Sequence, residues 1–441
     1  MKRLLIVSPH WSPINAPDLQ RVRMGLRHYR EHKWEPTILA IAPEFIEGGI
    51  HEALLEKSYP ADIRVIRTRG IPPRLTRRFG IGSLWLRCGA AVRRAGDALL
   101  AREHFDLAFF STTQFNAFSL GPRWLDRHRL RYILDYQDPW RNDYYARTHT
   151  RPPGGNIKFF FSQLGARFRE PRALRKASGV IAVSHSYEQQ LRRLYPWFPE
   201  NSVRVLPFGC SEHDFQLAGE HAPAAPLINF HDGHTHLVYV GRCGADMDYA
   251  LHALFEAFGL FLRASPAKAA RLQFHFLGTG YAPPPLGREW AMPVARKLGL
   301  QAYVNEHCYR LPLFDALHYL SNADALLAVG SNDASYSPSK IYPNLMAQRP
   351  LLMVYHEKSL ACEVARSIGG TLLETFNDST PPALIARNIH ERWFAPEAYL
   401  QTPTRNPEIV ALYGAQTATA KLCGFFDEVI ARPAGPSQAA P

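Results

Sequence analysis

Unbroken apolar runs constrain this chain most. LLIV at Leu4–Val7, ILAIA at Ile38–Ala42, LAFF at Leu107–Phe110 and VIAV at Val180–Val183 recur through the first half. LVYV at Leu237–Val240, LLAV at Leu326–Val329 and LLMVY at Leu351–Tyr355 recur through the second. A strand with no polar alternation is covered on both faces, which is the habit of parallel sheets flanked by helices. Further strands are expected at Ile63–Thr68, in RYILDYQDPW (Arg131–Trp140), in VRVLPFG (Val203–Gly209) and in GGTLLE (Gly369–Glu374). Helices are expected at Pro17–His32, after Ser184, at Asp248–Ala264, around Val294–Leu298 and from about Pro407 to Ile430. The alternation predicts an α/β fold with doubly wound parallel sheets.

A chain of 441 residues exceeds one ordinary core. The stretch 219–236, GEHAPAAPLINFHDGHTH, has no periodicity and divides the two strand series. The expected domains are therefore 1–218, a linker at 219–236, 237–395, a C-terminal helical segment at 396–431 and a disordered tail at 432–441. Apolar residues at 46% and charged residues at 20% suit a globular protein. The formal charge of +12 favours anionic partners. Six cysteines, none near another in sequence, suit a reducing compartment and suggest neither a metal pair nor a redox motif. The first apolar run stops at Ser8-Pro9, too short for a signal sequence, and no run is long enough for a membrane span. A cytoplasmic protein is expected. Two segments are both basic and greasy, Arg77–Phe105 and Asn156–Lys176. Each reads either as a helix packed on the sheet or as an interfacial helix on an anionic membrane, making the protein peripheral.

Ligands of parallel α/β sheets bind beyond the carboxyl ends of the strands. After the first strand come His10, Asn15, Asp18, Arg21 and Arg23. Asp18 has two readings, a helix cap or part of a site. After a later strand come Asp135, Gln137, Asp138 and Trp140, with Tyr144 and Tyr145 beyond. His10 and Asp138 are the expected catalytic pair, a histidine oriented by a carboxylate as general base. Asn15, Arg21, Gln137 and Trp140 are expected on the acceptor side. In the second half, Gly241 and Arg242 follow one strand, Gly278 another, and Arg310 lies in a loop. Glycine lets a phosphate approach the backbone and arginine clamps it in bidentate fashion. SYSPSKIYPN (Ser335–Asn344) places Ser339 and Lys340 at the mouth of a helix, where exposed N–H groups and a cation favour a diphosphate. Asp246 and Asp248 in DMD read as helix capping.

In this order, LLIVSPHWSPINAPDLQRVRM, RKASGVIAVSHSYEQQLRRLYP, VRVLPFGCSEHDF, YVGR, YRLPLFDALHYLSNADALL and PSKIYPNLMAQRPLL resemble the GT-B glycosyltransferases of the family 4 kind. The resemblance implies two Rossmann-like domains facing a cleft, a nucleotide-sugar donor held mainly by the second, and a last helix crossing back toward the first. It implies no bound metal and no cofactor. The chain departs from the family at several positions. Asn15-Ala16 stand for its Gly-Gly loop, Gln137 for its histidine, Met247 for its second phosphate-binding cation, and Ser335 and Pro343 for its paired glutamates. Arg242 and Lys340 are left to hold the diphosphate.

The implied activity is sugar transfer to a polysaccharide precursor, a lipid-linked sugar or a small molecule. Its partners are a nucleotide-sugar donor, that acceptor and an anionic membrane surface; no nucleic acid is expected. Two other readings share the fold: a sugar-nucleotide epimerase, and a degenerate homologue that binds a nucleotide or glycan.

Overall fold

A computed structural model describes residues 1–77, 82–141, 155–282, 284–333 and 339–433. The chain forms two compact units, Met1–Phe208 with Ala415–Pro441, and Gly209–Gly414. In chain order the first unit holds strands β1 (Lys2–Val7), β2 (Ile14–Asn15), β3 (Trp34–Ile41), β4 (Ile50–His51), β5 (Arg64–Thr68), β6 (Leu107–Ser111), β7 (Tyr132–Tyr136), β8 (Gly179–Ala182) and β9 (Val203–Val205). One sheet runs β5-β3-β1-β6-β7-β8-β9. Every pairing in it is parallel.

Strand order reverses between β1 and β6. Val7 lies opposite Phe110, so the loops leaving the two strands emerge side by side. The short pair β2–β4 is antiparallel and braces the first of those loops.

Both faces of this sheet are filled. On one, Phe110 stacks on Trp124 at 5.5 Å, and the Trp124 indole N–H donates to Asp97 at 3.0 Å. On the other lies the helix Ala415–Ala431. Its Phe426 is fully buried, 5.1 Å from the Phe109 ring and 5.6 Å from Trp34. Trp34 also donates to Asp427 at 2.9 Å, and Lys2 pairs with the same carboxylate.

The second unit holds β10 (Thr235–Val240), β11 (Leu272–Leu277), β12 (Val304–His307), β13 (Ala325–Val329), β14 (Leu351–His356) and β15 (Leu372–Phe376). Its sheet is also parallel, in the order β12-β11-β10-β13-β14-β15. The reversal falls between β10 and β13. The helix Asp248–Ala264 follows β10 and buries eight residues, Phe255, Phe258 and Phe261 among them.

The expected boundaries shift. The helix Glu212–Glu220, capped by the Ser211 hydroxyl, packs against the helix Leu313–Asn322 of the second unit. The division therefore falls at Phe208, ahead of 218, and residues 219–236 lie inside the second unit. The single helix expected from Pro407 to Ile430 is two, Pro407–Ala411 and Ala415–Ala431. Between them the Cys210 N–H donates to Tyr413 O at 3.0 Å and Cys210 bridges Gly414, which pulls the chain out of helical geometry. The short strand β12 and the helix Pro382–Ile389 were not expected. Of the tail, residues 434–441 lie outside the described residues.

Because Phe426 fills the space between Trp34 and Phe109, Phe426→Ala is expected to destabilise the first unit by about 3–5 kcal/mol. Urea denaturation followed by tryptophan fluorescence checks this.

Candidate functional site

The loop after β1 carries a histidine locked to a carboxylate. His10 Nδ1 lies 3.0 Å from both oxygens of Asp18. The Asp18 side chain is only 2% exposed. Three further donors hold it: Thr112 Oγ1 at 2.9 Å, the Thr113 N–H at 2.9 Å and Thr113 Oγ1 at 3.1 Å. Thr112 and Thr113 follow β6, so the bonds cross the point where strand order reverses. Burial pushes the Asp18 carboxyl up. The hydrogen bond and charge of His10, with the Thr113 and Thr112 bonds, outweigh it and hold the pKa below the usual carboxylate range. With Nδ1 turned to Asp18, Nε2 is the nitrogen presented for chemistry.

The expected partner of His10 was Asp138, and here the structure corrects the expectation. Asp138 makes no hydrogen bond to His10; the nearer Asp18, eight residues along the same loop, takes that place. Asp138 keeps surface open to solvent, yet the protein crowding its carboxyl strips hydration and raises its pKa to about 6, with the Asp18 charge adding to the rise. It stands near enough to Asp18 to feel it, as a second, less committed base.

The four residues expected on the acceptor side are structural in large part. Asn15 is buried and donates to Glu52 at 2.8 Å, tying the β2–β4 pair. Arg21 is buried with its Nε 3.1 Å from Asp135 and its Nη2 donating to Leu206 O at 2.7 Å. Gln137 Nε2 reaches Asp18 O at 3.0 Å, Ser111 Oγ at 2.9 Å and Asp135 at 3.0 Å. Gln137 thus fastens β7 to the His10–Asp18 loop rather than facing a ligand. Trp140 stacks on Phe115 at 5.6 Å within an aromatic core. Tyr144 and Tyr145 lie outside the described residues. Thr112 and Thr113 were not foreseen; the signal for them was the run of three hydroxyl residues, Ser111 to Thr113, at the end of the apolar strand.

In the second unit, three cations gather beyond β10 and β11. Gly241 has φ +146°, and a Cβ there would come within 2.2 Å of Lys340 Nζ. The missing side chain is what lets the lysine lie across this turn. The Lys340 ammonium makes no hydrogen bond or ion pair among the described residues. Though the residue keeps some solvent contact, its ammonium lies deep beside Cys243, Arg242 and Arg310. Burial lowers its pKa to about 7; Cys243 opposes the shift, and the charges of Arg242 and Arg310 add to it. The Cys243 thiol is pushed up to about 12, first by burial, and stays neutral.

Arg242 is not the open clamp expected. Its Nη1 and Nη2 donate to the two oxygens of Asp246 at 2.9 and 2.6 Å. Burial raises the Asp246 carboxyl, but Arg242 overrides it and the pKa falls below the usual value. Asp246 O also accepts the Asn332 N–H at 2.7 Å, so the pair fastens the turn after β10 to the loop after β13. Met247, in the place of a second cation, is fully buried. Gly278 has φ +72°, and its N–H donates to His307 O at 2.8 Å, which makes it a turn residue. Ser339 is exposed. Lys340 immediately precedes the helix Ile341–Met346, in which Pro343 lies; Ser335, Ser337 and Pro338 lie outside the described residues.

Residues 20–209 match the model of the glycosyl transferase 4-like domain. The match begins just after the His10–Asp18 loop. HepE from Anabaena, solved with UDP and glucose, is 14% identical with a TM-score of 0.59, over 97% of this chain and 100% of that one. Sucrose-phosphate synthase from Thermosynechococcus elongatus is 13% identical with a TM-score of 0.58, over 98% and 100%. A UDP-N-acetylglucosamine 2-epimerase-like protein from Listeria monocytogenes is 11% identical with a TM-score of 0.54, over 99% of each chain. A search of curated proteins gives no match. The chain has the GT-B fold.

Lys340 titrates near 7 in the folded protein and near 10.5 in the unfolded chain. Between those values the unfolded chain binds the extra proton, so stability is expected to rise with pH from about 7 to about 10. Lys340→Met removes that rise; denaturant midpoints across this range test it. Gly241→Ala strains the turn and evicts Lys340, with an expected loss of about 1 kcal/mol or more in the same assay.

Proposed function

We propose that this protein transfers a sugar from a nucleotide-sugar donor to an acceptor hydroxyl. The observation that carries the reading is Lys340, a buried ammonium with no carboxylate partner among the described residues, laid across a glycine turn beside Arg310 and the Arg242–Asp246 pair. A buried cation in that state invites an anion. The diphosphate of a leaving nucleotide gains charge as the glycosidic bond breaks, and fixed cations stabilise it more in the transition state than before. Lys340 and Arg310 supply that charge, and the reading calls on no metal ion or cofactor. Binding a diphosphate returns Lys340 to its protonated form above pH 7. The UDP and glucose bound in the HepE structure support a nucleotide-sugar donor.

The first unit supplies the base. Asp18 holds His10 in one tautomer, leaving Nε2 to accept the proton of an acceptor hydroxyl. Asp138, raised to about 6, stands second to it. The acceptor classes are a polysaccharide precursor, a lipid-linked sugar or a small molecule. Six free cysteines, five of them buried, support a cytoplasmic setting.

A second reading is favoured by one observation. Pro343 and Ser335 stand where the family carries paired carboxylates, which leaves a nucleotide-binding homologue without transfer. Thermal shift with UDP-, GDP- and ADP-sugars, followed by nucleotide release on an acceptor panel, separates the two. At least one donor is expected to raise the melting temperature of the wild type and not of Lys340→Met. His10→Ala is expected to lower turnover by about 10²–10⁴-fold while leaving donor affinity unchanged. Stabilisation without turnover on any acceptor leaves the second reading standing; no stabilisation by any donor sinks both.

A further inference from the structure

We propose that the outward face of the helix Asn156–Arg175 docks on an anionic phospholipid bilayer. Its inward face is settled. Ala166, Glu170, Ala173 and Leu174 are buried, and Glu170 accepts a hydrogen bond from Tyr195 Oη at 2.7 Å. The spacing of these four residues gives one stripe of the helix to the first unit's core.

The opposite stripe turns large apolar side chains to solvent. Phe160 is 62% exposed, Phe161 65% and Phe168 60%, with Leu164 beside them. Exposed apolar residues are ordinary when scattered, but four on successive turns of one face are not. The face has its own charge pattern. Arg167 and Arg172 are exposed and make no ion pair among the described residues. Arg175 lies 5.9 Å over the ring of Trp197, itself 45% exposed. From Asn156 to Lys176 the only acidic residue is Glu170, which faces inward, against six lysines and arginines. Aromatic anchors ringed by basic residues, with a tryptophan at the margin, complement a surface that is apolar within and negative at its headgroups. A protein partner of the same shape would have to present both a large apolar patch and an excess of acid.

The other basic and greasy segment is a contrast. Its helix Leu84–Leu100 buries Leu84, Cys88, Val92 and Leu99. Its Arg87 is buried and donates to Phe45 O at 2.9 Å and to Ile71 O at 3.2 Å. Among its described residues that helix is mostly turned to the core, with Leu86 exposed by itself, whereas the second segment exposes Phe160, Phe161, Leu164 and Phe168 together. Among the described residues no helix is long and apolar enough to cross a membrane, so the contact is a peripheral one. The helix also borders the loops beyond β6 and β7: Arg169 donates to Asn116 at 2.8 Å and Gln163 to Trp140 O at 3.3 Å.

Flotation of the full chain tests the proposal, with no nucleotide present, so its outcome is independent of the transferase reading. The wild type is expected to float with vesicles of phosphatidylglycerol and phosphatidylethanolamine and not with phosphatidylcholine alone. Raising salt weakens the association. The triple variant Phe160→Ser, Phe161→Ser, Phe168→Ser is expected to lose about tenfold or more in bound fraction. Arg167→Glu with Arg172→Glu, which touches no apolar contact, is expected to lose binding to the anionic vesicles as well. Near-ultraviolet circular dichroism confirms that each variant is folded. Failure of the wild type to float on anionic vesicles overturns the proposal. So does a wild type that is dimeric without lipid and becomes monomeric in the triple variant, since the face then serves a second copy.

Discussion

In a parallel sheet the crossover helices on the two sides of a starting strand lead away in opposite directions, and a crevice opens at that strand's carboxyl end. This constraint acts twice here, at β1–β6 and at β10–β13. Val7 beside Phe110 brings the His10 loop against Thr112 and Thr113. Val240 and Val329 end their strands near each other, and the Arg242–Asp246 pair then ties the two exit loops together. The polar groups that matter are where the backbone leaves room.

Ion pairs in the two crevices serve different ends. Arg21 and Asp135 are both buried, and Arg21 also donates to the carbonyls of Leu206 and Pro207. Removing one partner of such a pair typically costs about 3–5 kcal/mol, because the other charge stays behind. Asp18 is equally buried but differs in kind: it hands its charge to a histidine that reaches the surface. Lys340 is the reverse case, a cation whose burial is compensated by nothing described. The first pair serves stability, the second holds a side chain in one orientation, and the third is a cation that the turn at Gly241 makes room for.

The sequence showed the fold plainly because both-faced burial writes itself as unbroken apolar runs. β1, β3, β6, β10 and β14 fall within a few residues of their expected places, and the helix Asp248–Ala264 matches its expected ends. β12, VNEH, was hidden because an edge strand carries polar residues. Lys340 and Gly241 were each legible, but the contact between them was not, since it depends on φ +146° at the glycine. His10 was legible and its partner was not. Two carboxylates competed for it, and only the three-dimensional path of the loop favours Asp18 over Asp138. Arg21, Gln137 and Trp140 misled because a polar or aromatic residue after a strand looks alike whether it faces ligand or fastens loops.

The helix Ala415–Ala431 has a consequence in time. The first unit lacks the lid over Trp34 and Phe109 until a segment made after Gly414 arrives. On the ribosome, the roughly 200 residues between Phe208 and Ala415 take about 10–40 s to make at ordinary elongation rates. For that interval the part of the first sheet's apolar face around Trp34 and Phe109 that Phe426 covers is bare, while Leu19, Val22 and Tyr29 cover other parts of it. The second unit, contiguous in sequence, has all its residues in hand first. Although it is numbered second, it is the first of the two that can be finished, and the N-terminal sheet must be kept from aggregating while it waits.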